Sequence, residues 1–291
     1  MQLVEKPEKM QALSESWRSE GSRIGFVPTM GALHEGHLSL IRAARSRCDR
    51  LVVSIFVNPT QFRGGEDFDT YSRPFERDSK LLREEGCDAL FAPSVEAMYG
   101  GGSPDLSPSG ERVFVEAGGL GEPWEGAARP GHLRGVATVV AMLFNIVRPH
   151  RAYFGEKDYQ QLKVIERMVR DLFFGMEIIP CSTVREKDGL AMSSRNARLS
   201  YGEREAAVSL YRALQEGVAL VEGGERDAAR VAETIRSSCE KQPLVDLQYV
   251  AVVDAETLEP LTVLAGRPSR ALIAGNVGGT HLIDNVALPA Y

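Results

Sequence analysis

The stretch Ile24-Gly25-Phe26-Val27-Pro28-Thr29-Met30-Gly31-Ala32-Leu33-His34-Glu35-Gly36-His37 decides how this chain is read. Residues 23–29 are mostly apolar and read as a buried strand, and an amphipathic run over 38–48 reads as the helix after it. Two histidines therefore sit in the tight loop where a helix begins. A helix N-terminus offers free backbone N–H groups and the positive end of a dipole, both suited to phosphate. Imidazoles there can donate hydrogen bonds to phosphate oxygens and stabilise charge that grows on them. Gly31 and Gly36 carry no Cβ, so the backbone can come close to a ligand. The plain alternative is that the histidines only cap the helix, but the chain has just five, and two are spent at this junction. A structural zinc site needs two further ligands at metal spacing, and the neighbouring sequence supplies none.

Composition bounds the function. The chain has 291 residues, 43% hydrophobic and 25% charged, which is ordinary globular composition and length for about two domains. A net charge of −6 argues against a general nucleic-acid surface but leaves room for a local basic pocket. Cys48, Cys87, Cys181 and Cys239 are scattered without a C-x-x-C pattern and read as thiols in a reducing compartment, Cys181 as a strand packing residue. The first residues lack the basic-then-apolar layout of a signal peptide, and no apolar run reaches membrane-spanning length, so the expected setting is the cytoplasm, away from membranes.

Short apolar runs at 23–29, 51–57, 88–92, 152–155 and 177–184 alternate with helical patterns at 38–48, 75–85, 136–147 and 159–173. Such β-α alternation predicts an α/β fold with a doubly wound parallel sheet, whose ligands sit beyond the carboxyl ends of the strands. After Leu199 the character changes: helical patterns at 203–221 and 226–240 precede strand-like runs at 247–253, 271–274 and 281–287. This predicts a second, smaller α+β domain, with residues 1–186 forming the first unit and 187–291 the second. The Gly/Pro/Ser-rich segment 100–110 reads as a surface loop, and the Gly/Pro/Ala-rich segment 118–131 as a candidate mobile flap.

Polar groups of an unusual kind follow several strands. In Asn58-Pro59-Thr60-Gln61-Phe62 the Asn-Pro pair explains a turn, but Gln61 is not needed for one and reads as a binding residue beside Asn58. In Gly155-Glu156-Lys157-Asp158 the lysine can neutralise phosphate charge and the aspartate can cap the helix that follows. Gln160 and Gln161 come next; adjacent helical residues point about 100° apart, so at most one faces a ligand. Met192-Ser193-Ser194-Arg195 brings hydroxyls and a guanidinium, the donors expected around a triphosphate that loses pyrophosphate. Arg134, in His132-Leu133-Arg134-Gly135, is a candidate anion contact, while Trp17 and Trp124 read as packing residues. No Gly-x-x-x-x-Gly-Lys-Ser/Thr loop occurs, which excludes a P-loop ATPase.

His34-Glu35-Gly36-His37 resembles the H-x-G-H signature of nucleotidyl-transferring, Rossmann-like enzymes, and Met192-Ser193-Ser194-Arg195 resembles their second phosphate-binding loop. Together with the blocks at 28–31, 56–62, 131–135, 154–158 and 185–196, in family order, the chain is similar to the pantothenate synthetase (pantoate–β-alanine ligase) family. The resemblance implies a Rossmann-like fold and a two-step reaction. Pantoate's carboxylate attacks the α-phosphorus of Mg2+-bound ATP, giving pantoyl adenylate and pyrophosphate; the amine of β-alanine then attacks the acyl carbon and releases AMP. The anhydride must be shielded from water, which points to the smaller domain as a closing lid.

Carried over by position, Met30, Gly31, Ala32, Leu33, His34, Glu35, Gly36 and His37 resemble the family's ATP-binding stretch, with His37 at its proton-donor position. No leaving group here demands a strong acid, so His37 is read as a hydrogen-bond donor to developing phosphate charge. Gly155, Glu156, Lys157, Asp158, Val184, Met192, Ser193, Ser194 and Arg195 match further ATP-binding positions, and His34, His37, Lys157 and Arg195 are the expected catalytic group. Gln61 matches the contact shared by pantoate and β-alanine, Gln161 the second pantoate contact, with Asn58 and Arg134 in support. Magnesium is expected mainly on phosphate oxygens and water; no protein ligand is identified, Asp78 being the one candidate. A homodimer is implied as well. The family's usual Tyr-Pro-Arg is replaced here by Tyr71-Ser72-Arg73-Pro74. Competing readings are a nucleotidylyltransferase that leaves the nucleotide on its product, a nucleotide-binding regulator without turnover, and a relative of class I aminoacyl-tRNA synthetases, which length and acidic charge disfavour. A phosphorylated acceptor would favour cations where this chain has Gln61 and Gln161.

Overall fold

The computed structural model describes residues 1–62, 68, 71–100, 104 and 112–290. Strands β1 (Gln2–Val4), β2 (Ile24–Thr29), β3 (Arg50–Ile55), β4 (Ala89–Phe91), β5 (Arg151–Gly155) and β6 (Glu177–Cys181) pair in parallel in the order β1-β4-β3-β2-β5-β6. They are linked through α1 (Pro7–Ser19), α2 (Glu35–Arg45), α3 (Phe75–Glu84), α4 (Val95–Tyr99), α5 (Glu125–Ala128), α6 (His132–Val147) and α7 (Tyr159–Asp171). Successive strand residues point to opposite faces. Accordingly Phe26, Val52, Phe91 and Ala152 join a core with α1, α6 and α7, while Val27, Leu51, Val53, Leu90 and Tyr153 join another with α2 and α3. Both faces are covered, which is why the strands read as apolar runs. The chain steps from β2 to β3 to β4 in one direction and then returns to the other side of β2 with β5 and β6. The strand order thus reverses between β2 and β5, and the crevice beyond their carboxyl ends is where this architecture binds ligands.

The second unit comprises α8 (Tyr201–Glu222), α9 (Ala228–Cys239) and the antiparallel strands β7 (Val245–Asp254), β8 (Ser269–Val277) and β9 (Thr280–Leu288). Val250, Val252, Ala271 and Ile273 pack with α8 and α9, whereas Ala251, Val253 and Leu272 join the core of the first unit. The small sheet is therefore covered on both faces, one of them by the parallel-sheet unit. The division drawn at 186/187 falls in the connection between β6 and α8.

Several local expectations shift. β1 and α1 are additional to the strands and helices read from the sequence; Met10, Ser14 and Trp17 bury one face of α1, and Pro7 sits in its first turn. α2 starts at Glu35 because His34 is its N-cap, and α6 starts at His132 after Gly131 in the left-handed conformation (φ +87°). The last parallel strand ends at Cys181 rather than 184, and its Pro180 is tolerated because β6 is an edge strand. Segment 118–131 is pinned, not loose: Gln160 bonds the backbone of Leu120, Pro123 and Glu125. Of the loop 100–110, all but Gly100 and Pro104 lie outside the described residues. Trp17 is buried, and Trp124 packs near Tyr249 and donates to the Leu258 carbonyl at 3.3 Å. Among the described residues no helix is long and apolar enough to cross a membrane.

Candidate active site

A cleft of about 240 Å³ opens where β2 and β5 end. Its wall brings together Met30, Gly36, His34 and His37 from the β2–α2 junction, Gln61 after β3, Gly155, Lys157, Asp158 and Gln161 after β5, and Val184 with Met192 through Arg195 after β6. Arg129 and His132 complete it, and Phe56, Phe62, Val136, Val139 and Val140 form an apolar side. Among the described residues Asp158 is the one acid on this wall, against the cations Arg129, Lys157 and Arg195. Such an excess of positive charge suits a polyanion.

The two histidines cap α2 reciprocally. His34 Nδ1 accepts the Gly36 N–H at 3.2 Å, and His37 Nδ1 accepts the His34 N–H at 3.4 Å. A backbone N–H can only donate, so in both neutral rings the proton sits on Nε2. Burial lowers the His34 pKa to about 4, helped by Lys157, and lowers His37 to about 3, helped by His34. Both rings are thus neutral near pH 7 and offer Nε2–H as donors. Gly31 (φ +81°) and Ala32 (φ +50°) form the turn that leads into this cap. Leu33 is buried, and Glu35 points away to pair with Arg42, so neither they nor Gly31 and Ala32 line the cleft.

Gln61 is fixed from behind. Asn58 is fully buried; its Oδ1 accepts the Thr60 N–H at 3.3 Å and the Tyr99 hydroxyl at 2.7 Å. That assigns the amide, so Nδ2 donates to Gln61 Oε1 at 3.0 Å and to the Gly135 carbonyl at 3.2 Å. Gln61 Nε2, 3.9 Å from Met30 Sδ, is left as a donor at the cleft. Asn58 thus sits behind the wall and orients Gln61 rather than lining the cleft itself. The main-chain carbonyl of Gln61 accepts from His132 Nδ1 at 2.9 Å and Arg129 Nη2 at 3.3 Å. Neither residue was singled out from the sequence; the scarcity of histidine was the available signal for His132. α6 packs tightly on this turn, because a Cβ on Gly135 would lie 2.3 Å from the Thr60 carbonyl oxygen. The neighbouring glutamines divide their work: Gln160 is buried and fully bonded to the 120–125 backbone, whereas Gln161 lines the cleft.

Lys157 Nζ lies 3.4 Å from Asp158 Oδ1, and Asp158 makes no side-chain cap of α7. The turn carrying Lys157 is tied to the small sheet: Asn285 Nδ2 donates to the carbonyls of Glu156 and Lys157, both at 2.9 Å. Glu156 itself faces Arg270 at 3.5 Å and is not on the wall. Ser193 Oγ accepts the Arg195 N–H at 3.2 Å, and Ser194 Oγ stands 3.3 Å from the Tyr71 hydroxyl. Arg134 lies off the cleft, paired with Glu116 and stacked over Phe114 at 4.7 Å. Asp78 is 1% exposed, accepts the Leu33 N–H at 3.0 Å and lines a separate hollow. Among the described residues no group of three or more acid, histidine or cysteine side chains could hold a metal ion. A magnesium ion bound in this cleft would find Asp158 as the one carboxylate among the described wall residues.

The chain matches the family model described as Pantoate-beta-alanine ligase over residues 2–287. A pantothenate synthetase of Rubrobacter xylanophilus is 64% identical over 287 residues, covering 99% of this chain and 98% of that protein. One from Thermotoga neapolitana is 51% identical over 288 residues, covering 99% and 100%. The crystal structure of pantothenate synthetase from Thermus thermophilus superposes with a TM-score of 0.88 at 46% identity, over 98% of this chain and 99% of that one. The pantoate–β-alanine ligase of Francisella tularensis, crystallised with β,γ-ATP and β-alanine, gives 0.78 at 34% identity, over 98% and 97%.

Proposed function

The chain is an enzyme of the pantoate–β-alanine ligase family, and from that premise we propose that it joins pantoate to β-alanine through a pantoyl adenylate, releasing AMP and pyrophosphate. The observation that carries the reading is a single cleft at the strand-order reversal, shared by His34, His37, Gln61, Lys157, Gln161 and Arg195. Pantoate's carboxylate is a poor acylating group, because its leaving group would be oxide. One carboxylate oxygen attacks the α-phosphorus and the bond to pyrophosphate breaks. The unprotonated amine of β-alanine then attacks the acyl carbon, and AMP leaves carrying that carboxylate oxygen.

The side chains suit these steps. Neutral Nε2–H groups of His34 and His37 donate to phosphate oxygens where charge grows. Lys157 and Arg195 neutralise the leaving pyrophosphate, and the hydroxyls of Ser193 and Ser194 add donors. Gln61 Nε2 and Gln161 hold the acid's polar groups, while the apolar side formed by Phe62, Val136 and Val139 receives its hydrocarbon. Magnesium would supply further charge neutralisation when bound, with Asp158 the one acid among the described wall residues available to help hold it. Residues 187–291 serve as the lid unit that keeps water from the anhydride. Four free cysteines accord with the cytoplasmic setting, and a homodimer is part of the same reading.

The test is exchange of labelled pyrophosphate into ATP. It should require pantoate and proceed without β-alanine; exchange that ignores pantoate refutes the assignment. His37→Ala should abolish most of it while the protein stays folded.

A further inference from the structure

Glu125 has no part in that chemistry, yet it is 6% exposed and lies beside the site. Both its carboxylate oxygens face His281 Nε2, at 2.9 and 3.0 Å, and Arg129 Nη1 lies 3.6 Å away. Burial alone would push its pKa up; His281, Arg129 and His132 together pull it down to about 2, so it is a carboxylate. His281 comes from β9 of the small sheet, and Tyr249 of β7 flanks the same cavity. Two elements of the second unit thus converge on one acid of the first.

From Glu125 a chain of contacts runs to the acid pocket. Arg129 Nη1 stands 3.2 Å from His132 Nε2, and its Nη2 reaches the Gln61 carbonyl at 3.3 Å. His132 Nδ1 reaches the same carbonyl at 2.9 Å. A carbonyl only accepts and a guanidinium only donates, so His132 is held as its Nδ1–H tautomer between them. The backbone is built at a cost to put Glu125 there. Trp124, just before it, has φ +54°, a region that disfavours residues other than glycine. A Cβ on Gly126, just after it, would fall 1.8 Å from the Gly121 carbonyl oxygen. Strain of this kind collects where geometry matters to function.

We infer that Glu125 is a positioning residue of the acid pocket: held by His281 of the small sheet, it orients Arg129 and His132 on the Gln61 carbonyl, so that the seating of the second unit sets pantoate affinity. The inference rests on Gln61 being a contact to the acid. It predicts a selective effect. In pantoate-dependent pyrophosphate exchange, His281→Ala should raise the KM for pantoate on the order of ten-fold, with the KM for ATP little changed. His281→Gln, whose amide nitrogen stands in for Nε2–H, should recover most of that loss. Should His281→Ala fail to fold, Glu125→Gln, which keeps the side chain's shape, carries the same selective expectation. An unchanged pantoate KM, a joint rise of both KM values, or a His281→Gln no better than alanine overturns the inference. A wild-type protein without pantoate-dependent exchange removes the ligase reading as well, whereas an active wild type with unaffected variants removes the inference alone.

Discussion

Gly135→Ala sets two effects of opposite sign against each other. In an exposed helix interior, alanine in place of glycine stabilises by about 1 kcal/mol. Here the new methyl would lie 2.3 Å from the Thr60 carbonyl oxygen, 2.7 Å from its carbon and 3.0 Å from the Gln61 nitrogen. All three are backbone atoms, so no flexible side chain can yield. Relief requires α6 and the Pro59–Gln61 turn to separate by about 1 Å, and overpacking of this kind costs about 1–3 kcal/mol. The clash should equal or exceed the propensity gain, lowering Tm by up to about 4 °C per kcal/mol of net loss. The separation also stretches the 3.2 Å bond from Asn58 to the Gly135 carbonyl, which orients Gln61. A misplacement of about 1 Å at a positioning group can cost on the order of 100-fold. Steady-state exchange kinetics should therefore show kcat/KM for pantoate falling by one to two orders of magnitude while the KM for ATP holds. A higher Tm with unchanged pantoate kinetics would refute the packing argument.

Other expectations follow from the same geometry. Gln160→Ala leaves the Glu125 N–H and two carbonyls without their partner, so it should lower stability by about 2–4 kcal/mol in urea unfolding; Gln161→Ala should leave stability alone and impair pantoate use. Gln61→Ala should weaken pantoate more than ATP, and the reverse order in binding measurements would count against the pocket. His34 and His37 titrate near pH 4 and 3 in the folded chain against 6.5 unfolded, so from pH 6.5 down to about 4 for His34 and about 3 for His37 the unfolded state takes up protons that the folded one refuses. Stability should fall as pH drops through that window, and a His34→Gln, His37→Gln variant should lose less than wild type. Triphosphate bound beside the rings should raise both pKa values, so calorimetry near pH 5 in buffers of differing ionisation enthalpy should detect proton uptake with ATP.

Much of the fold was legible because its signals are local. Strands buried on both faces read as apolar runs, and cleft-lining groups follow soon after some of them, as Gln61 after β3 and Lys157 after β5. What escaped has physical causes. α1 hides its buried face behind a polar residue, Ser14, between Met10 and Trp17. The start of α2 is capped by histidine rather than by Ser, Thr, Asp or Asn, so the usual boundary signal is missing. Arg134 drew attention by its charge, yet it stands off the cleft beside Glu116, while His132 two residues earlier faces Gln61. Glu125 and His281 are 156 positions apart, and nothing local in either segment announces their meeting.

The most direct test of the adenylate route follows the carboxylate oxygens. Pantoate labelled with 18O in its carboxylate, incubated with the enzyme, ATP, Mg2+ and β-alanine, should deliver one labelled oxygen to the phosphate of AMP, with unlabelled pyrophosphate and no ADP. Label appearing in inorganic phosphate beside ADP, or AMP formed without label, would contradict it.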